Sequence, residues 1–401
     1  MKREKWGSKL GAVLAVAGSA IGLGNFLRFP VQAVRNGGGA FLIPYLITLV
    51  LMGLPLMWIE WTLGRFGGHH GHGSAPGIFQ TIRAESNLVR FLSLLGVFGP
   101  VVIFIYYTYV ESWLLGYSVF SLLGSYQHCP DQQTMSSFLR AYQGLEKNQF
   151  FSSVGPAYFF FLITFFLNIL VVYRGVTRGI EKLCLWAVPL LFLLAVAIVA
   201  RTLTLKPVVH QEWTPLAGLG FLWNPDFSSL SDARVWLAAA GQIFFTLSVG
   251  IGVILTYASY LSRDSDIIVS GMTAAASNEL AEVILGGSIA IPAAFVFFGP
   301  AGIQAIARQG SFDLGFVTMP LVLKTIPLGQ LFGFLWFSLL FLAGLTSSIS
   351  LAQPALAFLQ DELGLSRRQA VVIFALGTFA LCHFAVILLG RGVVDELDFW
   401  G

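Results

Sequence analysis

The chain has 401 residues, 56% of them hydrophobic and only 11% charged, less than half of the roughly 25% charge of a soluble domain, which excludes a water-soluble globular protein. Its formal net charge of +3 is dispersed with no basic cluster, which excludes a nucleic-acid-binding surface. Cys129, Cys184 and Cys382 stand far apart with no CxxC pair, so neither a disulfide framework nor a zinc site is indicated.

In chain order, apolar stretches predict about nine membrane spans, at 10–34, 40–64, 88–122, 156–173, 180–201, 232–260, 266–298, 328–359 and 367–389. Each approaches the ~20 apolar residues that cross ~30 Å of hydrocarbon as a helix. The runs are continuous, without the alternation of barrel strands, so the expected class is all-α integral membrane. Met1 to Lys9 is short and basic, and the apolar stretch after it outruns a signal peptide, so the first helix is expected to stay. An N-in orientation collects Lys2, Arg3, Lys5, Lys9, Arg65, Arg83, Arg90, Arg174, Arg178, Lys182, Arg263, Arg367 and Arg368 in short inner loops, as the positive-inside rule requires. The expected localisation is the cell's inner (plasma) membrane, multi-pass, with a cytoplasmic N terminus. His69, His70 and His72 sit in the glycine-rich loop GGHHGHGSAPG, which has no second ligand cluster nearby and reads as a cytoplasmic loop.

Two spans carry glycine-rich interruptions at mid-membrane depth, Gly18-Ser19-Ala20-Ile21-Gly22-Leu23-Gly24-Asn25 in the first and Ser248-Val249-Gly250-Ile251-Gly252 in the sixth. If helices one to five and six to ten form two repeats, each break falls in the first helix of its repeat, the pattern of a secondary transporter's binding site. Unwinding frees carbonyls that can coordinate a cation, and the half-helix N-terminus beyond the break can hold a carboxylate. Small residues that only permit close helix packing are the alternative for either break alone.

Buried polar groups are the second signal, because a carboxylate at mid-membrane costs about 2.5–3.5 kcal/mol on insertion scales. Glu60, Glu111, Glu279 and Glu282 fall inside predicted spans. Glu60 and Glu111 read best as supports for freed backbone N–H groups or a polar network. Asn25, Thr246, Asn278, Thr346, Ser347 and Ser348 complete an oxygen-only set, which suits a hard cation and not a transition metal.

The motifs WGSKLGAVLAVAGSAIGLGNFLRFP, PLMWIEWTLGRFGG, IYYTYVESW, GQIFFTLSVGIGVILTYASY, NELAEVILGGSIAIPAA and FLAGLTSSISLAQP follow one another along the chain. In them the chain closely resembles the neurotransmitter:sodium symporter family. The resemblance implies a leucine-transporter-like inverted repeat (5+5) with broken helices 1 and 6, one transmembrane domain over 1–401. Residues 1–201 would be the first repeat and 231–401 an incomplete second one, truncated near the start of helix 10, with further helices expected after Gly401. It also implies two sodium ions and one amino acid bound at the breaks.

Carried over residue by residue, the first sodium takes the Ala20 carbonyl, Asn25, Thr246, Asn278 and the substrate's own carboxylate. The second takes the carbonyls of Gly18, Ile21 and Ala343 with the hydroxyls of Thr346 and Ser347. The backbone at Leu23 and Gly24 and the Tyr107 hydroxyl match the groups that hold the substrate carboxylate. The carbonyls of Ala20, Phe245 and Thr246 and the Ser248 side chain match those that hold the ammonium. Ile103, Phe245, Ile251, Ser347 and Leu351 line an apolar side-chain pocket, which favours a neutral, hydrophobic or aromatic L-amino acid. Ile251 stands where the family's bacterial leucine transporter has an aromatic residue, leaving room for a bulkier ligand, and Ser19 replaces an asparagine.

The implied gates are Arg28 with Asp398 outside, Phe245 and Tyr107 as the lid, and Arg3 with Asp361 inside. Glu282 occupies the position of a small hydroxyl residue in chloride-dependent relatives, so no chloride requirement is expected, and proton countertransport through Glu282 is open. The expected function is sodium-coupled symport of neutral amino acids in a lipid bilayer, with no enzymatic activity. The alternative from another class is a sensor that keeps both sites without cycling. Catalysis by the buried carboxylates is a weaker rival, because no nucleophile–His pair or metal cluster accompanies them.

Overall fold

A backbone N–H or C=O left unpaired in hydrocarbon costs several kcal/mol, and the chain answers with helix almost everywhere. The computed structural model describes residues 4–83 and 86–400. The first span is a bent pair, α1 (Lys9–Ala20) and α2 (Gly24–Arg35), whose axes differ by 46°. It is followed by α3 (Gly39–His69), a short α4 (Ala75–Ile82), α5 (Asn87–Leu123), α6 (Gln132–Tyr142), α7 (Gly155–Tyr173), α8 (Val176–Leu203) and α9 (Pro215–Trp223). The sixth span comes as two pieces, α10 (Ala233–Thr246) and α11 (Val253–Ala258). The described chain ends with α12 (Ile267–Gln309), α13 (Gly329–Asp361), α14 (Arg367–Ile387) and α15 (Val393–Trp400).

Among the described residues seven helices are long and apolar enough to cross a membrane, and the α1–α2 pair makes eight. The one expected span outside these eight, the sixth at 232–260, is the one cut into α10 and α11. Three residues in that cut have left-handed backbone, Ser248 (φ 54°), Gly250 (φ 86°) and Gly252 (φ 82°), so no helix can run through it. The span expected at 266–298 ends where α12 kinks at Gly299 (φ 63°, ψ −175°), just before Pro300, and the helix then continues to Gln309. Proline cannot donate the hydrogen bond that a straight helix would need there.

The core lies between α1, α2, α5, α10 to α13. The long helices α5 and α13 pack along one another more extensively than any other pair. Trp61, Trp113 and Trp336 are fully buried, whereas Leu51, Leu193, Leu237 and Leu376 point outward with at least two-thirds of their surface exposed. Such outward apolar side chains on long helices match a lipid solvent, not water.

Caps fix the helix ends. Ser8 accepts from the Gly11 amide at 2.9 Å, and the Glu181 carboxylate accepts from the Gly7 amide (2.6 Å) and the Ser8 hydroxyl (2.7 Å). Asp131 caps α6 through the Thr134 amide at 2.8 Å. That bond, with one from the Thr134 hydroxyl, holds the Asp131 carboxyl below the usual carboxylate range. Ser366 and Gln369 form a capping box at the start of α14.

A side chain at Gly252 would meet the Gly96 carbonyl oxygen at 2.3 Å, besides forcing a Cβ into left-handed backbone. Gly252→Ala is therefore expected to cost more than about 1 kcal/mol and to lower the thermal unfolding midpoint of the purified protein. An unchanged midpoint would contradict this packing of the second break on α5.

Candidate functional site

At the first break α1 ends with the Ile21 amide still bonded to Ala17 O (2.8 Å). The next two amides leave the helix. Gly22 N donates to Asn25 Oδ1 at 2.9 Å, and Leu23 N donates to the Tyr107 hydroxyl on α5 at 3.1 Å. At the second break Gly250 N donates to Glu60 Oε1 on α3 at 2.6 Å. Each freed amide has thus drawn a polar side chain into the middle of the bundle.

Asn25, Thr246, Asn278 and Glu282 meet in a cluster that is at most 1% exposed. Asn25 Nδ2 donates to Asn278 Oδ1 (2.8 Å) and Glu282 Oε2 (3.1 Å), and Asn278 Nδ2 donates to Thr246 Oγ1 (3.0 Å). The Thr246 hydroxyl donates to Glu282. Gln242, one helical turn before Thr246, donates to Glu282 Oε1 at 2.7 Å, and Tyr45 donates to the neighbouring Glu279 at 2.8 Å. Asn278 closes α12's regular first part, and the wide π-type turn Leu280–Gly286 that follows carries Glu282 inward. Such turns recur at functional sites. Oxygen donors on three segments converge here, the set a hard monovalent or divalent cation takes.

Beside the cluster lies a cavity of about 270 Å³, near the low end of the ~300–1,000 Å³ of small-molecule sites. Ala20, Leu23, Ile103, Tyr107, Phe245, Ser248, Ile251, Ser347 and Leu351, all singled out from the sequence, line it, as does Asn25. Thr246 turns away from it into the oxygen cluster, and Gly24 faces a small adjoining cavity that Phe245, Arg28 and Asp398 also line. Gly241, Phe244 and Val249 complete the wall. Sequence reasoning passed over these three because apolar residues in an apolar span carry no signal. Polar groups at one end and aliphatic or aromatic groups at the other suit an amphipathic molecule with a compact polar head.

The expected second ion site lies where α1 faces α13. A Cβ on Gly18 would sit 3.2 Å from Thr346 Cβ, so the two backbones approach closely. The Thr346 hydroxyl donates to the Leu342 (3.0 Å) and Ala343 (3.1 Å) carbonyls, leaving its lone pairs free to accept or coordinate. Ile21, Ala343 and Thr346 are buried, and Ser347 lies on the cavity side of α13. Ser19 donates to Ser350 at 2.7 Å, a second tie between these helices.

At the cavity mouth the Arg28 guanidinium lies 4.2 Å from the centre of the Phe245 ring, a cation–π contact. Asp398 borders the same cavity and accepts from the Tyr106 hydroxyl at 3.2 Å. Arg28 and Asp398 face each other across the opening without pairing. On the opposite side of the bundle Asp361 accepts from the Gly73 amide at 2.6 Å, and its expected partner Arg3 lies outside the described residues. Among the described residues no three His, Cys, Asp or Glu side chains gather as a metal site, and His72 instead faces Glu362 at 3.3 Å.

The sequence pattern of the sodium:neurotransmitter symporter family matches residues 3–143 and 130–398, nearly the whole chain. The chain belongs to that family. It is 32% identical to an uncharacterized sodium-dependent transporter of Methanocaldococcus jannaschii, over 93% of this chain and 73% of the relative. It is 26% identical to the sodium-dependent dopamine transporter of Bos taurus, over 99% of this chain and 60% of that one. Among solved structures it is similar to MhsT in complex with L-phenylalanine, with a TM-score of 0.83 and 31% identity over 99% of this chain and 86% of that chain. The likeness reaches across both breaks, so the leucine-transporter-like fold holds for this chain. It is a multi-pass membrane protein, and its family and structural neighbours are sodium-dependent transporters.

Two carboxylates of this symporter serve the scaffold. Glu111 accepts from Asn168 Nδ2 at 3.1 Å, and Ser348 donates to Asn168 Oδ1 at 2.6 Å, which joins α5, α7 and α13. Glu60 supports the second break. The sequence signalled Gln242 only as a polar residue four before Thr246 on one helix face, and Tyr45 not at all. Glu60→Leu in the transporter leaves the Gly250 amide without an acceptor and is expected to cost about 1–3 kcal/mol, read as a lowered unfolding midpoint. Glu60→Gln keeps a carbonyl acceptor and should lose clearly less. Equal losses would contradict the role given to this bond.

Proposed function

We propose that the protein imports neutral, hydrophobic or aromatic L-amino acids by sodium-coupled symport with alternating access, at the cell's inner membrane with its N terminus in the cytoplasm. The observation that carries this reading is the buried oxygen cluster of Asn25, Thr246 and Asn278 beside an apolar-ended cavity, both built at helix breaks. The L-phenylalanine bound by MhsT supports an aromatic ligand here.

On this reading one sodium sits among Asn25, Thr246, Asn278 and the Ala20 carbonyl and completes its shell with the substrate carboxylate. Either charge alone in a low-dielectric cavity is costly, and each lowers the other's penalty, which is the coupling. The carboxylate is also held by the Leu23 and Gly24 backbone and the Tyr107 hydroxyl, and the ammonium by the carbonyls of Ala20, Phe245 and Thr246 with Ser248. A second sodium bridges Gly18 and Ile21 to Ala343, Thr346 and Ser347, so that its loss frees α1 to move. Phe245 and Tyr107 form the lid, with Arg28 and Asp398 closing above it and Arg3 with Asp361 below. Repeats at 1–201 and 231–401 rock about the site. Glu282 supplies the fixed negative charge that makes chloride unnecessary.

In proteoliposomes an inward sodium gradient is expected to drive accumulation of labelled L-phenylalanine, with gluconate able to replace chloride. Thr246→Val removes one oxygen at constant shape and should raise the sodium concentration required by at least about tenfold, the scale of one lost bond to a charge. Binding without accumulation would contradict transport and leave a sensor, and loss of uptake in gluconate would contradict the role of Glu282.

Ile251 sets ligand size on this reading. Ile251→Phe should shift preference from tryptophan and phenylalanine toward leucine in competition uptake. An unchanged order of preference would contradict it.

A further inference from the structure

At the end of the bundle that holds the N-terminal segment, a groove of about 1,090 Å³ opens between the end of α7, the start of α8 and the start of α14. Arg174, Arg178, Lys182 and Arg368 border it, and all four are exposed. None of the four side chains has a hydrogen-bond or ion-pair partner among the described residues. Glu181 is the one acidic group in the wall, and its two oxygens are engaged by the Gly7 amide and the Ser8 hydroxyl. Glu4 nearby is paired with Arg367 at 2.6 Å. Four cations therefore face one groove against a single carboxylate, Glu181, a net excess of positive charge whose repulsion a bound anion would relieve.

The groove is also apolar on its outer side. Tyr173 and Trp186 are 44% and 51% exposed, and Trp186 lies one helical turn beyond Lys182. From there the outward faces of α8 and α14 continue as exposed aliphatic bands, with Leu193 and Val196 on one and Val372 and Leu376 on the other. Cations at helix ends, an amphipathic aromatic pair and then bare aliphatic side chains follow the order of a bilayer from headgroup to acyl chain. A soluble anion would use the cations and leave the aromatic and aliphatic surface unexplained.

We propose that this groove is a binding site for an anionic phospholipid, its phosphate held by Arg174, Arg178, Lys182 and Arg368 and its acyl chains lying along α8 and α14. The positive-inside reading assigns the lipid to the cytoplasmic leaflet. The site borders the turn Val176–Glu181 whose Glu181 holds Gly7 and Ser8 at the start of α1, so bound lipid bears directly on the helix that carries the first break.

The test is lipid retention by the purified full chain in neutral detergent, read by native mass spectrometry with phosphatidylglycerol and phosphatidylcholine offered together. Wild type should prefer phosphatidylglycerol by at least about tenfold, since each interfacial cation contributes roughly a factor of five. The quadruple variant R174Q/R178Q/K182Q/R368Q should lose that preference while keeping its phosphatidylcholine binding and monodisperse elution. Arg234→Gln, which removes an exposed cation elsewhere, should keep the preference, and so should a double variant R174Q/R178Q in part if the quadruple variant fails to fold. Retained preference in the quadruple variant, or equal loss in Arg234→Gln, would overturn the proposal. Complete displacement of the lipid by millimolar inorganic phosphate would also overturn it, in favour of a free-anion site. No arm requires transport, so the outcome is independent of the uptake experiments.

Discussion

Two helices stop in the middle of a medium that cannot hydrogen-bond to them, and the rest of the molecule is arranged around that cost. Each amide released at the breaks must find an acceptor from protein. Gly22 finds Asn25, Leu23 finds Tyr107 and Gly250 finds Glu60. Satisfying the backbone therefore brings an asparagine, a tyrosine and a glutamate into the interior from α2, α5 and α3. The same unwinding points carbonyls and hydroxyls at one spot. Scaffold and site have a common origin, since a bundle of unbroken helices would have neither the freed groups nor the side chains that answer them.

Glu282 is the centre of the second level of organisation. It accepts from Gln242, Asn25 and Thr246, so one carboxylate orients two of the residues that present oxygens to the proposed cation site, Asn25 and Thr246. A negative charge fixed there strengthens cation binding, and the hydrogen bonds it accepts offset its desolvation. Glu111 acts differently. Through Asn168 and Ser348 it joins three helices at a distance from the cavity, so a buried carboxylate in this fold marks either the site or the frame, and only its partners distinguish them.

Much of this was legible in the sequence because the bilayer makes composition informative. Run length gave the spans, and glycine clusters beside Asn25 and Ser248 gave both breaks, since few other residues tolerate such backbone. The ordered motifs from Trp6 to Pro354 gave the family. Less legible was whatever depends on tertiary contact. The loop helices α6 and α9 give no membrane-length signal. Arg28 lying over Phe245 is a choice among side-chain conformers, set by the ring beneath it and not by residue spacing. Tyr45 reaches Glu279 across 234 positions of sequence, a proximity that no local pattern encodes.

The central claim is that the cation and the ligand's carboxylate complete one another's coordination. The most direct measurement is the sodium dependence of binding for L-phenylalanine and for its amide, in which the carboxylate is replaced by a neutral group, on the same purified protein. The account predicts that sodium markedly tightens binding of the acid and leaves binding of the amide nearly unchanged. Equal tightening of both would contradict it, because coupling would then pass through the protein and not through a shared carboxylate.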